Sequence, residues 1–189
     1  MQILRASDYR ETPWKNGSGL TREVFVKWRD ASQTNWDVRI SIADVVQSGA
    51  FSVFPGVDRS IAVLEGRGLK LNLPQDQSAI INQSTEPFAF AGELDVKCHI
   101  LSGPTIDLNV MTFRKTFRHS LRKLHLTATT TMDLEVGWNA LVANTALAML
   151  HDGKQLGLHR LDTVIDVGRS IEVTPVTKGD VFLLNVVEV

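Results

Sequence analysis

The sequence predicts an all-β protein of antiparallel strands with little helix. Three observations carry that prediction. Polar and apolar residues alternate with period two in one short stretch after another, as half-buried strands require. Turn residues interrupt these stretches about every ten residues, the spacing of a sandwich or barrel. No apolar pattern of helical period runs through the first 113 residues.

In chain order, residues 3–12 read as a strand followed by a turn, with Asp8 placed to cap something short. Pro13-Trp-Lys-Asn-Gly-Ser-Gly-Leu-Thr21 is a loop in which Gly17 and Gly19 permit positive φ and close backbone approach. Such a loop either cradles an anion or is a plain turn. The Lys-Ser/Thr pair and following helix of a nucleotide loop are missing. Residues 21–28 alternate as a strand, and 30–35 form a polar turn. From Trp36 to Ala43, Trp36, Val38, Ile40 and Ile42 point one way and Asp37, Arg39 and Ser41 the other. On an exposed sheet the second set is solvated; inside a barrel it lines a pocket. Further alternating stretches cover 69–73, 94–101 and 107–113, divided by turns at Pro74 and Ser102-Gly-Pro104. Residues 114–125 hold Arg114, Lys115, Arg118, Arg122 and Lys123 and no acid, a pattern more often a solvated face or connector than an anion site. Apolar runs broken by Gly resume in 133–150 and 161–187.

The 189 residues suffice for one large domain or two small halves, and a net charge of −1 argues against a general nucleic-acid or membrane-surface binder. Cys98 is the single cysteine, so neither an internal disulfide nor a multi-cysteine metal site is available. The opening residues lack a basic region followed by an apolar core, and no apolar run is long enough to span a bilayer. A cytoplasmic protein is expected. An offset of 87 residues brings Glu65-Gly-Arg67 onto Asp152-Gly-Lys154, Leu69 and Leu71 onto Leu156 and Leu158, and Gly92-Glu-Leu94 onto Gly179-Asp-Val181. This suggests a duplicated β unit. In that register Phe54, Pro55, Asp58 and Arg59 fall on Leu141, Val142, Thr145 and Ala146, so the charged pair occurs once and any site belongs to the first half.

The stretch Phe51-Ser-Val-Phe-Pro-Gly-Val-Asp-Arg-Ser-Ile-Ala-Val-Leu-Glu-Gly66 sets an acid and a base at the mouth of a buried strand. The pair is either a structural salt bridge or part of a site. The Val-Leu-Glu-Gly turn resembles the first motif of cupins, small antiparallel β-barrels. Metal cupins place two His and a Glu just before that strand, and here the region reads Phe54-Pro-Gly-Val-Asp-Arg59. His99 alone does not make a stable metal site, so no metal or other cofactor is expected, and His99 is expected as a hydrogen-bonded core or pocket residue.

Five motifs sharpen the likeness: Trp14 to Thr21, Val38 to Ala43, Gly49 to Arg59, Leu64-Glu-Gly66 and Gly103 to Met111. Together, over roughly residues 10–115, they resemble the HutD/Ves family. Ser18 stands where that family usually has a third Gly, and Glu93 where Asp is usual. The resemblance implies a two-barrel cupin (bicupin), with residues 1–115 as the pocket-bearing half and 116–189 as a second half packed against it. It also implies, in the HutD branch, binding of a small metabolite of histidine utilisation such as N-formylglutamate or urocanate; the Ves branch is linked to stress response.

The first functional expectation is a small-molecule binding protein. Arg59 grips a carboxylate or formyl oxygen through its planar fork, and Asp58 orients that fork or points away and anchors the loop. Asn16, Thr21, Arg39, Ser41 and Asn109 supply polar contacts, while Trp14, Phe51 and Phe54 form apolar walls. Arg59 thereby takes the place of a metal as the positive centre of the barrel. The alternative is a metal-independent isomerase, lyase or hydrolase, for which Glu23, Asp58, Asp107 and His99 are the acid–base candidates. Strand edges and the seam of duplicated barrels also leave room for a second copy, so a homodimer is allowed.

Overall fold

The computed structural model describes every residue except Lys15, Asn16, Ser18 and Asp152. Among the described residues the regular structure is antiparallel strand, apart from one short 3-10 turn at Ala6–Asp8. No helix is long and apolar enough to cross a membrane among these residues. Contacts divide the chain into two compact units, Arg10–Arg118 with Val189, and Met1–Tyr9 with His119–Glu188.

In the first unit one sheet runs, in spatial order, Arg10–Pro13, Gly19–Trp28, Trp36–Val45, Thr105–Phe113, Val57–Glu65 and Phe88–Ala91. The other runs Gly49–Ala50, Lys97–Ile100, Leu69–Asn72 and Ser78–Ile81. Inward residues of both sheets meet in one apolar cluster that includes Val45, Ile61, Val63, Leu69, Leu71 and Cys98. In the second unit the sheets run Gln2–Leu4, Thr163–Ile165, Trp138–Ala143, Gly179–Glu188 and Phe117–Leu126, and then Thr130–Asp133, Ser170–Pro175, Leu147–His151 and Lys154–Leu158.

The two units repeat one strand order. Thr105–Phe113 lies between Trp36–Val45 and Val57–Glu65, as Gly179–Glu188 lies between Phe117–Leu126 and Trp138–Ala143. Leu69–Asn72 likewise corresponds to Leu147–His151. The duplication is real, but its register is not the expected one. The Gly66 turn corresponds to residues 144–146, and the Gly153 turn to the loop after Asn72. The 87-residue offset matched turns by chemistry, because both Gly66 and Gly153 take positive φ, 98° and 72°, beside charged neighbours. A close approach at the true equivalent corner is kept with its residues exchanged. A Cβ on Gly66 would lie 2.9 Å from Thr105 Cα, and one on Gly179 would lie 2.6 Å from Thr145 Cβ.

Residues 3–12 enter two different sheets. Gln2–Leu4 pairs with Thr163–Ile165, whereas Arg10–Pro13 pairs with Gly19–Trp28. The basic run is mostly strand Phe117–Leu126, at a sheet edge, with Arg118, Ser120 and Arg122 exposed. It is a solvated face, and its charges discourage pairing with another strand.

Candidate functional site

Strand periodicity and register build the site. Thr105–Phe113 pairs on both sides, which sets three inward rungs: Arg39–Met111–Arg59, Ser41–Asn109–Ile61 and Ala43–Asp107–Val63. The alternate residues Val38, Ile40, Ile42, Leu108 and Val110 are buried on the other face. The rung residues other than Ile61 and Val63, which join the apolar cluster, form one wall of a cavity of about 600 Å³ within the first unit. Arg39, Ser41, Arg59, Asp107, Asn109 and Met111 line it from the sheet, and Trp14, Thr21, Phe51 and Phe54 line it from the flanking strand and loops. Trp14 is oriented by its Nε1–H, which donates to Thr21 Oγ1 at 2.7 Å. Phe54 meets Trp36 edge to face at 6.0 Å, and its backbone N–H donates to Gly92 O at 2.8 Å.

Arg59 is 5% exposed. Its guanidinium lies near three aromatic rings, 5.2 Å from Phe51, 5.5 Å from Phe54 and 4.9 Å from Phe90. Nη1 donates to Ser52 O at 3.1 Å, while Nε makes no hydrogen bond among the described residues. Burial pulls its pKa down to about 10; the charge of Asp107 opposes that shift and Arg39 adds to it. Arg59 stays cationic at neutral pH, held by faces of π density that cannot satisfy its N–H groups as an anion would.

Asp107 is 1% exposed, and its Oδ1 has no partner among the described residues. Burial pushes its pKa up to about 7, with Arg59 opposing and Asp44 reinforcing the rise. Asn109 Oδ1 is a third buried atom without a partner among the described residues. Arg39 faces Glu23 across the sheet, Nε to Oε2 at 3.6 Å, so its charge is offset. Burial and, behind it, Asp107 raise the Cys98 thiol to about 12, so it remains protonated.

The structure thus brings together Trp14, Thr21, Arg39, Ser41, Phe51, Phe54, Arg59 and Asn109 from the expected binding set. Asn16 lies outside the described residues. Asp58 does not orient Arg59. Adjacent residues in a strand point to opposite faces, and Asp58 accepts from Arg114 Nε at 2.7 Å, beside the Arg114–Glu93 pair. Of its two expected roles, orienting the fork or pointing away to anchor the loop, Asp58 keeps only the pointing away, and what it holds is Arg114, just past strand Thr105–Phe113. His99 is neither core nor pocket: it is exposed opposite Lys70, and Cys98 takes the inward position. Of the acid–base candidates, only Asp107 lines the cavity; Glu23 stands behind Arg39. Phe90 was missed because its place beside Arg59 comes from the pairing of Val57–Glu65 with Phe88–Ala91, a register no local pattern shows.

A family model described as HutD matches residues 6–183. An uncharacterized 21.2 kDa protein from the hutC 3′ region of Pseudomonas putida is 40% identical over 124 residues, 65% of this chain and 63% of the relative. Protein Ves of Citrobacter koseri is 36% identical over 127 residues, 65% of each chain. The match therefore spans less than two thirds of those curated relatives. The structure of HutD from Pseudomonas fluorescens SBW25 (formate condition) superposes with a TM-score of 0.82 at 27% identity, covering 100% of this chain and 98% of that one. Salicylate 1,2-dioxygenase from Pseudoaminobacter salicylatoxidans shares the fold alone, with a TM-score of 0.57 at 9% identity over 79% of this chain and 71% of that one. With its repeated antiparallel strand order, the chain has a two-barrel cupin fold and is a member of the HutD family.

Proposed function

We propose that this protein binds a small carboxylate or formyl-bearing metabolite of histidine utilisation in the first barrel, and that it senses or buffers that compound. One observation carries the reading: a buried cation, Arg59, faces a cavity of about 600 Å³ with a donor still unpartnered among the described residues. An unpaired buried charge is costly, and an anion offsets that cost through charge-assisted hydrogen bonds. Membership of the HutD family and the hutC 3′ region of the Pseudomonas putida relative agree with a link to histidine utilisation.

Calorimetry with formate, N-formylglutamate and urocanate tests it. Arg59→Ala is expected to weaken binding at least about tenfold. A folded variant with undiminished affinity overturns the assignment. The carboxyl of Asp107, near 7, also suits proton transfer and favours a metal-independent enzyme as the second reading. Turnover of these compounds followed by NMR, lost in Asp107→Asn, would select it.

A further inference from the structure

Three buried polar atoms of the cavity wall have no hydrogen-bond partner among the described residues: Arg59 Nε, Asp107 Oδ1 and Asn109 Oδ1. Their residues are 5%, 1% and 8% exposed. One of these atoms is a donor. Asn109 Oδ1 is an acceptor, as is Asp107 Oδ1 when that carboxyl is ionised. Buried groups of this kind are nearly always satisfied, because an unmade bond forfeits the whole desolvation penalty. A bare carboxylate answers only the donor. Its oxygens are themselves acceptors, so it offers nothing to Asn109 Oδ1 and sets lone pairs against lone pairs.

The placement of the three follows from register. Arg59 is across from Met111, with Asn109 one inward position further along the same central strand and Asp107 one beyond that. Successive inward positions are about 7 Å apart. The acceptors therefore line one wall along the line that a ligand follows as it extends from Arg59.

The geometry points to a ligand that carries a carboxylate for Arg59 and also an N–H or O–H group that donates to Asn109 Oδ1. Asn109 is then the residue that selects such compounds from plain carboxylates. The inference rests on the reading that Arg59 holds the anion. Folding does not demand an amide at this place. In the second barrel, the strand corresponding to Thr105–Phe113 puts Leu183 inward, within an apolar cluster.

Isosteric probes separate the two ideas. N-acetylglycine and levulinate differ by N–H against CH₂, as do the longer N-acetyl-β-alanine and 5-oxohexanoate. In calorimetry the N–H member of at least one pair is expected to bind at least about tenfold more tightly. Asn109→Leu is expected to remove that difference, so that the two members of each pair bind alike. Equal affinities in both pairs overturn this inference and leave the Arg59 reading intact. Absence of binding by all four probes overturns both. If Asn109→Leu does not fold, the comparison of probes on the unsubstituted protein decides the matter alone.

Discussion

The two barrels share a strand order and differ in what fills them. On the central strands of the second, the inward residues Val181, Leu183, Leu141 and Ala143 join one apolar cluster with Leu147, Met149 and Ile171. In the first, the corresponding strands turn Asp107, Asn109 and Arg59 inward, and space remains. One scaffold therefore supports a packed interior and a hollow one. The difference rests on a few positions of the inner face, while the outer faces of both central strands stay apolar, as Leu108, Val110, Phe182 and Leu184 show. A hollow polar interior gives up burial energy, and the lesson is that this cost is confined to the barrel that holds the cavity.

The largest expected effect comes from moving the polar pattern into the wrong barrel. Leu183→Asn leaves an amide without partners among leucines and should cost about 4 kcal/mol, lowering the melting midpoint by about 12 °C. A loss below about 1 kcal/mol in a urea melt would break the contrast between the two interiors.

A smaller effect concerns charge in the hollow barrel. Asp107 titrates at about 7, and the charged groups acting on it or beside it are Arg59, Arg39 and Asp44, with the Cys98 thiol neutral. Below its pKa Asp107 is neutral and leaves Arg59 to the ligand. Above it, the ionised carboxylate competes for Arg59 and repels an incoming anion. Levulinate affinity should therefore fall as pH rises through about 7, by about tenfold between pH 6 and pH 8, with net proton uptake on binding. Asp107→Asn should flatten that profile, and a wild-type profile that is flat or rises with pH contradicts the picture.

The smallest effect is at Asp58. It is adjacent to Arg59 but faces away, in a half-exposed pair with Arg114. Asp58→Asn should cost about 0.5 kcal/mol or less and leave ligand affinity unchanged; a tenfold change in affinity would place it in the site after all.

Period-two alternation made the strands legible, and with them the shared face of Arg39 and Ser41. Parity alone does not say which face holds the cavity. Both faces of Trp36–Val45 are buried, so the choice depended on strands far away in sequence. The same ambiguity misplaced His99, where Cys98 took the inward parity. Arg59 was legible from an acid–base pair whose two members go separate ways. Asp107 stood out only as an acid–base candidate, because its burial depends on pairing with both Trp36–Val45 and Val57–Glu65. The repeat was visible through its turns, and its register was not, because hairpin turns of like chemistry recur at non-equivalent corners.

The grouping of Met1–Tyr9 with His119–Glu188 bears on the order in which the protein is made. Every strand partner of the first barrel lies within residues 10–113. Gln2–Leu4, by contrast, pairs with Thr163–Ile165, and Asp162 accepts from Arg5 and from the Ala6 N–H. On a ribosome adding about 5–20 residues per second, the first strand waits on the order of ten seconds for its partner. The cavity-bearing barrel has all its strands by then, so its sheet pairing does not wait for the residues still being synthesised.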